Sequence, residues 1–144
     1  MLMNLLLGLG TMVLCLLLQT MLVIAAFNYY NRHADQVNDP SFRSSVRVVG
    51  GVMILLVLGN LAQVAFWGLL FQWLGEFGNF SDAFYHSGVN FSTLGYGDFV
   101  MSEQHRLLGP LESINGVLMI GVTSAALMTA FQDAMRKTLS ARRE

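Results

Sequence analysis

The first 27 residues contain no Asp, Glu, Lys or Arg, and this run decides what kind of fold the chain can adopt. A bilayer core is about 30 Å thick, so a helix needs about 20 mostly apolar residues to cross it. Residues 1–27 exceed that length. A secretory signal peptide would carry a basic start, a shorter apolar core and a small-x-small cleavage site. No Lys or Arg precedes this run, and it is expected to be a retained span. Cys15 is the only cysteine. It reads as a small apolar side chain, since one thiol builds neither a disulfide framework nor a metal site.

Two further runs share this character. Residues 48–73 carry Asn60, Gln63 and Gln72 as their polar interruptions, with Trp67 and Trp73 near the far end, where amphipathic rings favour the lipid–water boundary. Residues 110–135 open on Pro110, suited to the first helical position, and on Glu112, suited to the positive end of a helix. The composition agrees: 54% of the 144 residues are hydrophobic and 12% charged, against about 25% charged in soluble domains. The expected fold class is an all-α membrane protein with three transmembrane helices. Its parts would be a first helix at 1–27, a connector at 28–46, a domain at 47–136 and a short tail at 137–144.

The polar segments set the expected topology. Arg32, Asp35, Asp39, Pro40, Arg43 and Arg47 mark the connector, and Arg136, Lys137, Arg142 and Arg143 close the chain. Between the second and third spans, residues 74–110 hold Arg106 as their one Arg or Lys. Three spans put connector and tail on one side, and both are basic. Positive residues stay inside, which predicts a cytoplasmic connector and tail, an outer 74–110 segment and an outer N-terminus. A cell membrane, the inner membrane of a prokaryote, is the expected location.

The outer segment is not the hydrophilic loop that this topology permits. Residues 81–92 read as a short, largely apolar helix containing Ala83, Phe84, Tyr85, Val89 and Phe91, with Ser81 as N-cap and Asp82 in the first turn. A glycine-punctuated run follows: Ser92-Thr93-Leu94-Gly95-Tyr96-Gly97-Asp98. Such a segment suits a return into the membrane, where irregular backbone survives only against protein or along a watery path. A path for a dehydrated cation must replace lost water with oxygens. Backbone carbonyls manage this if successive residues turn the same way, which requires alternating backbone conformations that glycine permits. Gly95 and Gly97 flank Tyr96 at the required spacing. The side chains of Leu94 and Tyr96 would then point away into packing.

Thr93 to Asp98 resembles the potassium-channel filter signature Thr-Val-Gly-Tyr-Gly-Asp, and the order span, short helix, filter, span resembles small prokaryotic-type pores of the two-helix class. The resemblance runs from about Val48 through the tail and leaves residues 1–47 uncovered. It implies a filter at Thr93, Leu94, Gly95, Tyr96 and Gly97, whose carbonyls, with the Thr93 hydroxyl, hold K+ as in known potassium filters. It also implies a homotetramer, a re-entrant pore helix at 81–92, an outer helix at 48–73 and an inner helix at 110–135. Tyr85 and Asp98 sit where the family often places a hydrogen bond that supports the filter. Leu94 departs from the commoner Val and Ser92 from a frequent Thr. Val89 stands where some relatives carry a glutamate.

In the inner helix, Gly121-Val122-Thr123-Ser124 resembles the hinge region of the family. Gly121 is a candidate gating hinge and Gly116 a second, although glycines in membrane helices also serve close packing. Val122, Ala125 or Ala126, and Thr129 fall at helical spacing along a candidate cavity wall. Glu112 reads as a helix-start carboxylate, with contact behind the filter as its alternative. His86 and His105 read as ordinary outer residues, with pH sensing as theirs. Outer Glu76, Asp82, Asp98 and Glu103 would focus cations. The expected function is potassium conduction, with a potassium-transporter pore subunit or a non-conducting membrane scaffold as alternatives. The intact glycine pair argues against the transporter.

No enzyme activity, organic cofactor or nucleic-acid partner is expected. The spans lack the repeated arginines of a voltage sensor, and the stretch after Phe131 is too short for a nucleotide- or calcium-binding domain. The first span is expected outside the second, toward lipid. Membrane lipids, anionic ones near the basic tail among them, are expected partners.

Overall fold

A computed structural model describes residues 1–37 and 42–141. Asp39, Pro40, Arg142 and Arg143 lie outside the described residues. The elements are α1 (Leu2–Arg32), the short α2 (Ala34–Val37), α3 (Phe42–Trp73), α4 (Phe80–Phe91) and α5 (Leu108–Ala141). Among the described residues there is no strand. Three of the helices, α1, α3 and α5, hold stretches of 31, 31 and 34 residues (Leu2–Arg32, Arg43–Trp73 and Leu108–Ala141) that are long and apolar enough to cross a membrane, with mean hydropathies of 2.2, 2.1 and 1.7. At 1.5 Å per residue, 31 residues reach about 46 Å, well past the ~30 Å core.

That excess length corrects the boundaries read from composition. Residues 28–46 were expected to be a polar connector, yet α1 runs through Arg32 and α3 begins at Phe42. Tyr30 explains the extension of α1, because its ring packs in a core with Ala26, Val48, Val52 and Leu56. α5 starts at Leu108, two residues ahead of the expected 110, and continues to Ala141. Near its end Lys137 bonds to Asp133 at 2.8 Å, an i,i+4 pair.

The chain divides into two compact units. One comprises Met1–Leu18 and Asn60–Ile120, with a core of Cys15, Val64, Trp67, Phe71, Phe77, Ala83, Phe91, Leu108 and Met119. The other comprises Gln19–Gly59 and Gly121–Glu144. There Ala126, Ala130 and Ala134 recur every four residues on α5 and pack with Val48, Val52 and Leu56, spaced identically on α3. Small residues at this period let helix backbones approach closely.

The first span was expected outside the second, toward lipid; α1 does pack on α3, and it meets α5 as well. In the second unit it packs on α3, with Leu22 at Gly59 and Tyr29 at Gly51. It also reaches α5. Gln19 Nε2 donates to Thr123 Oγ1 at 2.8 Å, and Tyr30 Oη donates to Asp133 Oδ2 at 2.8 Å. In the first unit Gly8 faces Leu108 and Leu111 of α5, and the Asn4 amide donates to the Gln104 carbonyl. Buried polar groups need partners; the third span supplies those of Gln19 and Tyr30, and the loop before it supplies that of Asn4.

Candidate functional site

The geometry of the outer segment begins with how α3 stops. Gly75 takes φ +78°. Its N–H donates to the Gln72 carbonyl at 3.0 Å and the Glu76 N–H to the Phe71 carbonyl at 3.1 Å, the pairing of a Schellman C-cap. The chain then turns into α4, whose N-cap is Asn79 rather than Ser81. Asn79 is extended (φ −140°, ψ 158°), and its Oδ1 accepts from the Asp82 N–H at 2.9 Å. Two good capping residues stand two positions apart, and the one whose oxygen reaches the third helical N–H caps the helix.

α4 buries Ala83, His86, Ser87, Val89 and Phe91. Gly68 of α3 lies against the backbone of Ala83 and Phe84, so α4 rests closely on α3. At its C-terminus α4 runs directly into the glycine-punctuated strand. The N–H groups of Thr93, Leu94 and Gly95 turn back to the helix: Thr93 to Asn90 O at 2.9 Å, Leu94 to Val89 O at 2.9 Å and Gly95 to Val89 O at 3.4 Å.

Along that strand the backbone alternates. Thr93 has φ +60°, Gly95 +60° and Gly97 +75°, whereas Leu94 and Tyr96 are not among the positive-φ residues. Thr93 is the one non-glycine at positive φ among the described residues. A β-branched residue there is a genuine outlier that the surroundings must hold in place. Leu94 and Tyr96 are 54% and 67% exposed. The packing expected around them is therefore not provided by this chain alone.

The supporting residues are in place. Tyr85 Oη donates to Asp98 Oδ2 at 2.8 Å, and this bond raises the phenol above its ordinary pKa. Asp98 Oδ1 accepts from the Phe99 N–H at 3.1 Å. His86, read as an ordinary outer residue, is buried against Phe71 and Phe77, with ring centroids 5.6 and 4.9 Å away. The Asn90 amide donates to its Nε2 at 2.9 Å, which leaves Nδ1–H to donate to the Phe99 carbonyl at 3.0 Å. Sequence offered no sign of this brace, because both partners of His86 are set by the fold of the loop.

The rest of the outer loop is tied down by Glu76. Its carboxylate accepts from the Ser102 N–H and hydroxyl at 2.6 Å each and meets His105 Nδ1 at 2.5 Å. Burial pushes this carboxyl up, but the bonds from Ser102 and His105 outweigh it and hold the pKa below the usual value. Glu76 and His105 thus act as loop anchors.

α5 touches α4 at three levels. Glu112 is fully buried and bonds to Ser87; it stands in the second turn of α5, not at the helix start. Ser113 Oγ donates to the Asn90 carbonyl at 2.9 Å. Gly116 abuts the Phe91 backbone, where a methyl group would strike the carbonyl. The two hinge candidates therefore differ. Gly116 is a close-packing glycine, while a methyl at Gly121 meets nothing within 4 Å. Val122, Ala125 and Thr129 share an exposed face below Gly121, whereas Ala126 is buried in the α3 contact.

Among the described residues no group of three or more His, Cys, Asp or Glu could hold a metal ion. No curated protein and no solved structure matches the chain. Residues 59–133, just over half of the chain, match the family described as ion channel. The matched stretch takes in about half of the second span, all of α4 and the alternating strand, and most of the third span. The chain belongs to the ion channel family.

Proposed function

We propose that this membrane protein is one subunit of a homotetrameric potassium channel, conducting K+ passively through Thr93, Leu94, Gly95, Tyr96 and Gly97. The observation that carries this reading is the alternation of positive φ at Thr93, Gly95 and Gly97. Residues of alternating hand turn successive carbonyls to one side. With the N–H groups of residues 93–95 engaged by α4, the carbonyls of the strand are left for an ion. One strand covers one side of the ion, and closed cyclic symmetry is the usual way for identical chains to surround an axis. Exposed Leu94, Tyr96, Phe99 and Val100 would find their packing in neighbouring subunits.

The helix α4 ends at the strand, so the negative end of its dipole faces the ion path. Tyr85–Asp98 and His86–Phe99 hold the strand's outer end. The basic connector and tail lie in the cytoplasm and the N-terminus outside, in a prokaryotic inner membrane. Arg136 sits near anionic inner-leaflet lipid. Val122, Ala125 and Thr129 line the path inside the filter.

Recording from purified protein in bilayers, with K+ on one side and Na+ on the other, tests the reading. A reversal potential near the K+ equilibrium value is expected. Equal permeation of both ions refutes the potassium filter, and absence of current from a verified tetramer favours the scaffold. Native mass spectrometry should give a mass of four chains.

A further inference from the structure

The one fully buried carboxyl of α5 has a hydrogen-bond problem that only a proton solves. Ser87 on α4 is fully buried, and its Oγ lies 2.7 Å from the Val64 carbonyl oxygen of α3. The same Oγ is in hydrogen-bond contact with Glu112 Oε1 of α5. A hydroxyl carries one hydrogen, a carbonyl none and an ionised carboxylate none. With Glu112 ionised, two acceptors compete for a single hydrogen.

Other hydroxyls in this chain do share a hydrogen. Ser113 divides its own between carbonyls at 2.9 and 3.1 Å, and Ser92 between carbonyls at 2.7 and 3.3 Å. Those acceptors are neutral, so half a bond is enough. At Glu112 the shared hydrogen would serve a full negative charge. The other oxygen, Oε2, is buried with no hydrogen-bond partner. The ion pairs among the described residues are His105–Glu76 and Lys137–Asp133, so no cation balances Glu112. Its polar neighbours are Cys15, Ser87 and Asn90, none of them a cation; the Asn90 amide approaches the carboxyl but also donates to His86 Nε2 at 2.9 Å, so it adds at most one neutral donor. A buried, unpaired carboxylate with one bare oxygen is among the costliest arrangements a protein can hold, and a neutral acid avoids it.

We propose that Glu112 is held as the neutral carboxylic acid and donates its proton to Ser87 Oγ, so that a directed chain, Glu112 to Ser87 to Val64, ties α5, α4 and α3 together behind the filter strand. Each hydrogen then has one acceptor. Oε2 becomes the oxygen of an uncharged carbonyl, and Ser87 spends its single hydrogen on Val64. Glu112 is a positioning residue: together with Ser113 at Asn90 and Gly116 at Phe91 it fixes where α4 ends, four residues after Ser87, and where the strand begins. The protonation state stands on the geometry alone; only its consequence for selectivity rests on the potassium-filter reading.

The chain has four glutamates, Glu76, Glu103, Glu112 and Glu144, few enough to resolve. The full-length protein labelled with carbon-13 at the glutamate carboxyl, in lipid bilayers at neutral pH, is measured by solid-state NMR. One carboxylic-acid resonance beside three carboxylates is expected, lost in Glu112→Gln and shifted in Ser87→Ala. Four carboxylate resonances overturn the proposal, as does an acid resonance that survives in Glu112→Gln or ignores Ser87→Ala. The Gln amide still donates to Ser87, so Glu112→Gln should retain wild-type K+ over Na+ permeability while Glu112→Leu loses it. Loss of selectivity in Glu112→Gln equal to that in Glu112→Leu would mean that the charge, not the donated hydrogen, is what the site uses. The NMR result stands whether or not the channel proves selective for K+, so the two readings fail separately.

Discussion

Replacing Gly121 by Ala tests whether α5 works by bending. The helix is continuous from Leu108 to Ala141, and a methyl at Gly121 meets no atom within 4 Å. The substitution therefore acts on backbone preference alone. Ala favours a helix interior over Gly by about 1 kcal/mol, so the straight helix gains that much against any form bent at this position. Four subunits bending together would multiply the effect to about 4 kcal/mol, on the order of a thousandfold in the equilibrium; independent bending would give roughly fivefold per subunit. Single-channel recording in bilayers reads open probability and reversal potential together. Open probability should shift strongly while reversal potential stays put, because the proposed filter, residues 93–97, is a separate segment. Gly116→Ala supplies the contrast: its methyl would strike the Phe91 carbonyl, and loss of assembly or of selectivity is expected. Unchanged open probability in Gly121→Ala refutes the hinge and moves the gate to the filter. Identical behaviour of the two variants refutes the separation of their roles.

Gly95→Ala places an L side chain at φ +60° with open space around it, a conformational cost of about 1–2 kcal/mol per subunit; tetramers should still form but lose K+ selectivity, and normal K+ over Na+ permeation in them would remove residues 93–97 from the filter role. Glu76 has its pKa held below the ordinary 4.5, so its anchoring of Ser102 is complete above that pH and is lost as pH falls through the lower folded value; hydrogen exchange at the Ser102 amide should show protection that falls on such acidification, and protection equal in Glu76→Gln would contradict the anchor. Gln19→Leu removes a bond inside the membrane worth roughly 0.6 kcal/mol per subunit, and over four subunits about a fiftyfold shift of open probability away from the present conformation is expected; no shift would mean that α1 does not restrain α5.

The spans and the alternating backbone of residues 93–97 were legible in the sequence because each is written locally. An uncharged run of 27 residues admits few fates, and Gly95 and Gly97 around Tyr96 already implied the alternation of φ that the backbone adopts. Tyr85 and Asp98 were paired through family resemblance, and their bond is present. Helix ends were less legible. Asn79 and Ser81 carry the same chemistry two positions apart, and only the register of α4 on Gly68 chooses between them. The roles of Glu112, His86 and Glu76 were hidden for a related reason. Each is defined by a partner 13 to 29 residues away, and no local pattern marks such a partner.

The first span shows the limit most clearly. Read alone, residues 1–27 are uncharged and rich in leucine and methionine, a surface suited to lipid. Asn4 and Gln19 are among its few polar residues, and Tyr30 follows in the same helix. In the fold all three are buried and donate hydrogen bonds, to Gln104, Thr123 and Asp133 respectively. A polar group in hydrocarbon has few places to go, so such bonds specify a helix pairing even where each contributes little energy. Thr123 and Asp133 both lie beyond Gly121, in the same compact unit as Gln19 and Tyr30. A bend at Gly121 must therefore either carry α1 with the lower part of α5 or break both of these hydrogen bonds. The span that the resemblance left uncovered is thus fastened to the helix segment that gating would move. Within the second unit Tyr30 also stacks under Lys137, whose ammonium lies 5.4 Å from the ring centre and 2.8 Å from Asp133. That tie joins α1 to α5 at the basic end of α5, beside Arg136 and Lys137.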